Sequence, residues 1–338
     1  MAASTTKKHS RYINPATDFG FKMIFKDEDI TREFLNDLLH TRTPDVNIAK
    51  ITITDGEFDE SDTEVRRVVY DVHCTTDTGE EFVIEMQNDP QEYFSDRIVL
   101  YMARITSLKQ HKGMQKAIDD VGNITEKPWN YHMPNIYGVF FMNYIDKNRP
   151  KPFSHCALMD TQTKEIDSDV FQYRKIQLPF YKNKRPNSCK KIIDKWFYIL
   201  ANLPIMNTTL PFTKEKPIFM KLAQIAEYSN LNARQQRQYD ESLDNYLVYI
   251  NAMDYREKTG YEKGVDKGRE EGRAEGMAQG IAQGMAQGMA QGMAQGMTQQ
   301  LLENVRNLIS AGFDFNKVVE MLKIPAEKID ELREMLSK

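Results

Sequence analysis

Cysteine, net charge, long apolar runs and, outside one segment, glycine are all scarce in this 338-residue chain. Cys74, Cys156 and Cys189 are odd in number, far apart and without zinc-ligand spacing. They exclude a disulfide framework and point to a reducing compartment. The formal charge is only −4, from 45 basic and 49 acidic residues, so a nucleic-acid partner has to be held by a local patch and not by a basic whole. No stretch approaches the roughly 18 apolar residues of a membrane helix; the longest, Tyr137 to Met142, is strand-sized. Lys7 and Lys8 are not followed by an apolar core, which is not the pattern of a secretory signal. These absences predict a cytoplasmic protein with no membrane partner. Ten of the 17 glycines stand at every fourth position from Gly260 to Gly296, which leaves seven for all the rest.

What is present is a change of hydrophobic period along the chain. Thr17 to His40 carries apolar residues at helical spacing, for one or two helices; Ile51 and Ile53 then alternate with Thr52 and Thr54. Val65 to Thr76 and Glu80 to Asn88 read as two strands joined at Asp77-Thr78-Gly79, a hairpin signal. Asp96 to Gln110 returns to a helical pattern and Asn135 to Asn143 reads as a buried strand. The sum is a mixed α/β sheet. Lys190 to Leu203 and Ile218 to Ala252 read as helical, with Pro204, Pro211 and Pro217 at the breaks.

The hairpin carries the chemistry. If Asp77-Thr78-Gly79 is a three-residue loop with Gly79 in the left-handed position, residue 76 opposes 80 and Asp71 falls opposite Glu85. Their Cβ atoms would then lie about 5 Å apart. Like charges that close destabilise a sheet unless a cation lies between them, and two carboxylates with a carbonyl oxygen make a hard oxygen site for Mg²⁺ or Mn²⁺. The bland alternative is a polar, solvated hairpin face. Against it, Val69, Tyr70, Val72, Phe82, Val83, Ile84 and Met86 make both faces largely apolar, and unpaired charge in a covered sheet is costly.

The ordered set Asp18-Phe19-Gly20-Phe21-Lys22, Asp71-Val72-His73-Cys74, Phe82-Val83-Ile84-Glu85-Met86-Gln87 and then Arg97 and Tyr101 resembles the PD-(D/E)XK family of Rpn-type recombination-promoting nucleases and transposases, over roughly residues 11 to 260. The resemblance implies a restriction-endonuclease-like mixed sheet flanked by helices, with an extended helical C-terminal region. It implies a metal-dependent DNA endonuclease linked to recombination, transposition or defence, using Mg²⁺ or Mn²⁺. Asp71 and Glu85 become the metal-binding acids, the Met86 backbone carbonyl a third ligand, and Gln87 stands where the wider superfamily has lysine. A glutamine amide is neutral and takes no proton, so it can only orient water, and a divalent ion would have to supply the activation. The alternative is a degenerate nuclease fold that binds DNA or protein.

Asp18 reads as an N-cap or, with Lys22, as an accessory site residue. Glu33 is a further acid that nothing singles out. Arg97 and Tyr101 share a helical face and either contact a phosphate or form a surface pair. His73 reads as a core histidine or a group behind Asp71. The six acids between 55 and 64 suit a solvated loop. Arg174, Lys175, Lys182, Lys184, Arg185, Lys190, Lys191 and Lys195 form the best basic stretch, with Lys182, Lys184, Arg185, Lys190 and Lys191 as the DNA-binding candidates.

Three segments are expected: a nuclease domain over 1–255, with its core at about 11–145 and a helical, basic part at 170–255; the glycine tetrads over 256–299; and a short helical module over 300–338. Four residues advance an α-helix by about 400°, so the glycine stripe drifts about 40° per repeat and circles once in nine steps. Such a segment is either a tether or a helix that packs on a second copy, making a homo-oligomer through the C-terminal repeat. Gln300 to Ile309, Asn316 to Lys323 and Ala326 to Leu336 read as three short helices.

Overall fold

The computed structural model describes residues 10–40, 47–54, 70–116 and 133–337. It divides into two units, Met1–Ile250 and Asn251–Lys338. The acidic stretch and the strand expected from Val65 to Val69 lie outside the described residues.

Six strands, β1 (Ile51–Thr54), β2 (Val72–Thr76), β3 (Glu81–Gln87), β4 (Ile136–Met142), β5 (Phe153–Met159) and β6 (Ile166–Gln177), form one mixed sheet in the first unit. Their order is β1-β2-β3-β4-β6-β5. β2 pairs antiparallel with both β1 and β3, β3, β4 and β6 run parallel, and β5 returns antiparallel on β6. Period-two alternation sorts the central strands onto two faces. Phe82 and Ile84 of β3, with Tyr137, Val139 and Phe141 of β4, meet one layer of helices: α1 (Asp18–Phe25), α2 (Glu28–Leu39), α4 (Ile192–Asn202) and α5 (Pro217–Ala226). Phe141 sits among the rings of Phe21, Phe25 and Phe34, with centroids 5.5 to 5.9 Å away. Val83, Ile136, Phe140 and Met142 face the opposite way, onto Ile98, Met102 and Ile105 of α3 (Phe94–Lys116). The result is the predicted mixed α/β sheet flanked by helices.

The opening helical stretch resolves into two helices. Thr17, not Asp18, caps the first: its hydroxyl accepts from the Gly20 amide at 3.0 Å. Asp18 is the first helical residue and pairs with Lys22 at 2.7 Å. The tight hairpin loop has the expected form. Gly79 takes φ +97°, and the Thr76 amide donates to the Glu80 carbonyl at 2.9 Å. Val72 opposes Ile84 and His73 opposes Val83.

Three readings are corrected. Arg174 and Lys175 are buried within β6 and are not surface bases; Arg174 packs over the Tyr137 ring at 5.3 Å. Lys195 is spent on an ion pair with Glu215. The helical stretch from Ile218 to Ala252 is broken after Ala226, where the Ile13 amide donates to the Ala226 carbonyl at 2.8 Å, and helix resumes as α6 (Ala233–Ser310). Tyr181 and Trp196, which interleave with the basic stretch, are core residues.

In the second unit α6 continues through the whole glycine repeat. Gln300 to Ile309 is its last part and no separate helix. Gly312, at φ +92°, ends it. α7 (Phe315–Met321) and α8 (Ala326–Ser337) follow, around Val305, Val318, Ile324 and Leu332.

Candidate active site

Because β2 and β3 keep the Val72 to Ile84 register, the next pair outward is Asp71 and Glu85. Both carboxylates fall on the face covered by α3, the face of Val83. Glu85 is buried at 2 % exposure. Its Oε2 accepts from the Gln87 amide nitrogen at 2.8 Å, while Oε1 is buried with no hydrogen bond. Asp71 Oδ2 accepts from the Met86 backbone amide at 2.8 Å. The Glu81 amide and the Gln87 carbonyl bond toward β4, so the alternate residues, Met86 included, direct their N–H and C=O toward β2.

Burial raises the pKa of both acids. For Glu85, desolvation first and the facing Asp71 second push it from 4.5 up to about 8, against Arg97 and Gln87. For Asp71, desolvation and the nearby Asp18 charge outweigh the Met86 amide, Lys22 and Arg97. Asp18 and Lys22 are therefore within electrostatic reach of Asp71. Glu33 is not drawn to it: its carboxylate meets Lys216 at 2.9 Å.

Arg97 reaches the site from the first turn of α3. Its Nη2 lies 3.9 Å from Glu85 Oε2 and its Nη1 3.5 Å from Gln87 Oε1. Tyr101 receives the Arg97 Nε–H at 2.8 Å. His73 turns away into a buried network with Glu81 at 2.6 Å and with Thr54; it is a core residue behind the site.

Lys182, Lys184, Arg185, Lys190 and Lys191 are exposed. Lys182 borders a cavity of about 290 Å³ that Asn143, Leu178 and Tyr246 also line, and desolvation there lowers its pKa. Asn143 donates to Asn88 at 3.3 Å just after β3 and to the Tyr246 hydroxyl at 3.1 Å. Asn88, Asn143 and Tyr246 escaped the sequence reading, since a lone asparagine after a strand carries no local signal.

Among the described residues no group of three or more His, Cys, Asp or Glu is placed to share an ion. The donor set the pair would offer is two carboxylates and, from Met86, one main-chain carbonyl. It fits a hard divalent cation, because a buried carboxylate oxygen without a hydrogen bond needs either a proton or an ion.

An antiparallel hairpin with an acid just before its first strand and one on its second, continued by parallel strands and sandwiched by helices, defines a nuclease-type fold. The chain belongs to the PD-(D/E)XK nuclease family transposases, whose family model matches residues 15–256. Neither the curated proteins nor the solved structures contain a match. Among the described residues no helix is long and apolar enough to cross a membrane.

Proposed function

We propose that this nuclease-family chain is a DNA endonuclease that depends on Mg²⁺ or Mn²⁺ and acts in transposition, recombination or defence. The observation that carries the reading is the facing pair of half-buried Asp71 and buried Glu85, with one oxygen of Glu85 left without a hydrogen bond. These two acids and the Met86 carbonyl would hold the ion. When bound, the ion would supply Lewis-acid activation of water and neutralise charge on the phosphodiester.

The chain's own residues do the rest. One N–H of Gln87 fixes Glu85, and the second N–H of the same amide would orient the attacking water. Asp71 is anchored by the Met86 amide. The Asp18 and Lys22 pair trims the potential around Asp71 from α1. Lys182, Lys184, Arg185, Lys190 and Lys191 contact the DNA backbone; reversing the charge of Lys184 and Arg185 should weaken binding and flatten its salt dependence. The glycine-paced helix joins a second copy.

Plasmid incubated with Mg²⁺, Mn²⁺ or chelator tests the reading. Wild type should cleave only with an ion, and Asp71→Ala and Glu85→Ala should not. Undiminished cleavage by either variant would refute the assignment. No calorimetric metal binding by wild type would favour a degenerate fold that binds DNA without cutting it.

A further inference from the structure

Beside the divalent ion, two carboxylates facing a polyanionic substrate leave room for a side-chain cation that reaches the phosphate, and Gln87 supplies none. Lys22 is already paired with Asp18 at 2.7 Å. Arg97 is held differently. Its Nε–H is used on the Tyr101 hydroxyl at 2.8 Å, and its guanidinium lies over the Tyr101 ring at 4.9 Å. Nη1 is used on Gln91 Oε1 at 2.9 Å and, more loosely, on Gln87 Oε1 at 3.5 Å. Tyr101 is itself fixed, since the Tyr70 hydroxyl donates to its carbonyl at 3.0 Å and the two rings meet edge to face at 5.3 Å.

Only Nη2 makes no hydrogen bond among the described residues. Its distance of 3.9 Å from Glu85 Oε2 is an ion pair beyond hydrogen-bonding reach. A guanidinium that served only to neutralise Glu85 would close that gap. Instead the side chain is 33 % exposed and keeps two N–H groups unused on the rim of the acid pair. Planar N–H donors fixed in advance match the oxygens of a phosphodiester.

Resting on the endonuclease reading above, we propose that Arg97 is a further catalytic residue whose Nη2 donates to a non-bridging oxygen of the scissile phosphate, in place of the ammonium that Gln87 lacks. Gln91, Tyr101 and Tyr70 are then positioning residues that aim it.

The test compares full-length wild type, Arg97→Ala, Arg97→Lys and Asp71→Ala in oligonucleotide cleavage, with DNA affinity measured in Ca²⁺ and unfolding midpoints recorded for each. Arg97→Ala should cleave about 10²- to 10³-fold more slowly and bind DNA more weakly. Millimolar guanidinium should restore part of its rate, which a merely structural role would not allow. Arg97→Lys should recover little, because one ammonium cannot hold Tyr101 and Gln91 while reaching the phosphate. Cleavage by Arg97→Ala at the wild-type rate, or a loss that guanidinium leaves untouched in a folded variant, would overturn the proposal. If Arg97→Ala proves unfolded, full activity in Arg97→Lys would overturn it instead. Loss in Asp71→Ala without loss in Arg97→Ala sinks the arginine role alone, whereas wild-type cleavage by Asp71→Ala sinks the reading of the site.

Discussion

The Gln87 side-chain nitrogen donates to Oε2 of Glu85 at 2.8 Å, while Oε1 of the same carboxylate is buried with no hydrogen bond. A neutral amide thus holds one edge of a buried acid and leaves the other edge free. The arrangement makes Gln87 a support for Glu85, beside the water-orienting role proposed for it. Removing the amide as Gln87→Ala should raise the Glu85 pKa further, since that hydrogen bond is among the influences lowering it. The cleavage pH profile should move its acidic limb to higher pH, and the rate at neutral pH should fall by about tenfold or more, in keeping with a hydrogen bond to a charged group. Rate against pH for the variant and wild type checks both; an unmoved limb would sink the supporting role.

Without a divalent ion, the acid pair should make stability fall as pH rises. Glu85 goes from 4.5 to about 8 on folding, chiefly through burial and then through the facing Asp71, so the folded protein binds this proton more tightly than the unfolded chain. The associated stability is complete below about 4.5 and is lost as pH passes through about 8. Asp71 shifts in the same direction. At about 1.4 kcal/mol per unit, the difference reaches several kcal/mol. Thermal midpoints in chelator should therefore drop across that window, and Glu85→Gln, which stays neutral, should remove most of the slope. Added Mg²⁺ should raise the wild-type midpoint more at the alkaline end, where the acids are ready to receive it.

Gly20 is required by space. A Cβ there would lie 2.1 Å from the Asn14 carbonyl oxygen, a backbone atom, and 2.7 Å from the Thr17 hydroxyl that caps α1. Gly20→Ala should force the entry to α1 apart and cost about 2 kcal/mol or more. Because Asp18 and Lys22 ride on this helix, cleavage should fall with the unfolding midpoint. Urea denaturation beside the cleavage assay would show whether the two losses go together.

That Asp71 falls opposite Glu85 was legible in the sequence because the pairing is local. A glycine-closed loop of three residues fixes the register, and the register sets Asp71 against Glu85. What the sequence concealed depends on distant partners. Arg174 and Lys175 read as surface bases, yet β6 lies between β4 and β5, and Arg174 finds the Tyr137 ring across the sheet. The α5 to α6 break follows the docking of residues 11–13 beside Ala226 and Glu227, a contact no window of sequence reveals. The Gln87 and Arg97 contacts likewise required the α3 face to be placed over β3.

The glycine repeat offers a test with two opposite signs. The residues from Gly260 to Gly296 are helical throughout, and a Cβ added at any of the ten glycines meets nothing within 4 Å. Each Gly→Ala change should therefore favour the helix by about 1 kcal/mol. Gly280→Ala, Gly284→Ala and Gly288→Ala together should raise the thermal midpoint of the full-length protein's helical signal. If two copies approach along the glycine stripe, the added methyl groups hold the helices apart, and light scattering should show weaker association in the same variant. Firmer helix with weaker association would place the stripe at the contact between copies. Firmer helix with unchanged association would shift that contact to the exposed Met285, Met289, Met293 and Met297 side chains, whose replacement by Gln should then separate the copies.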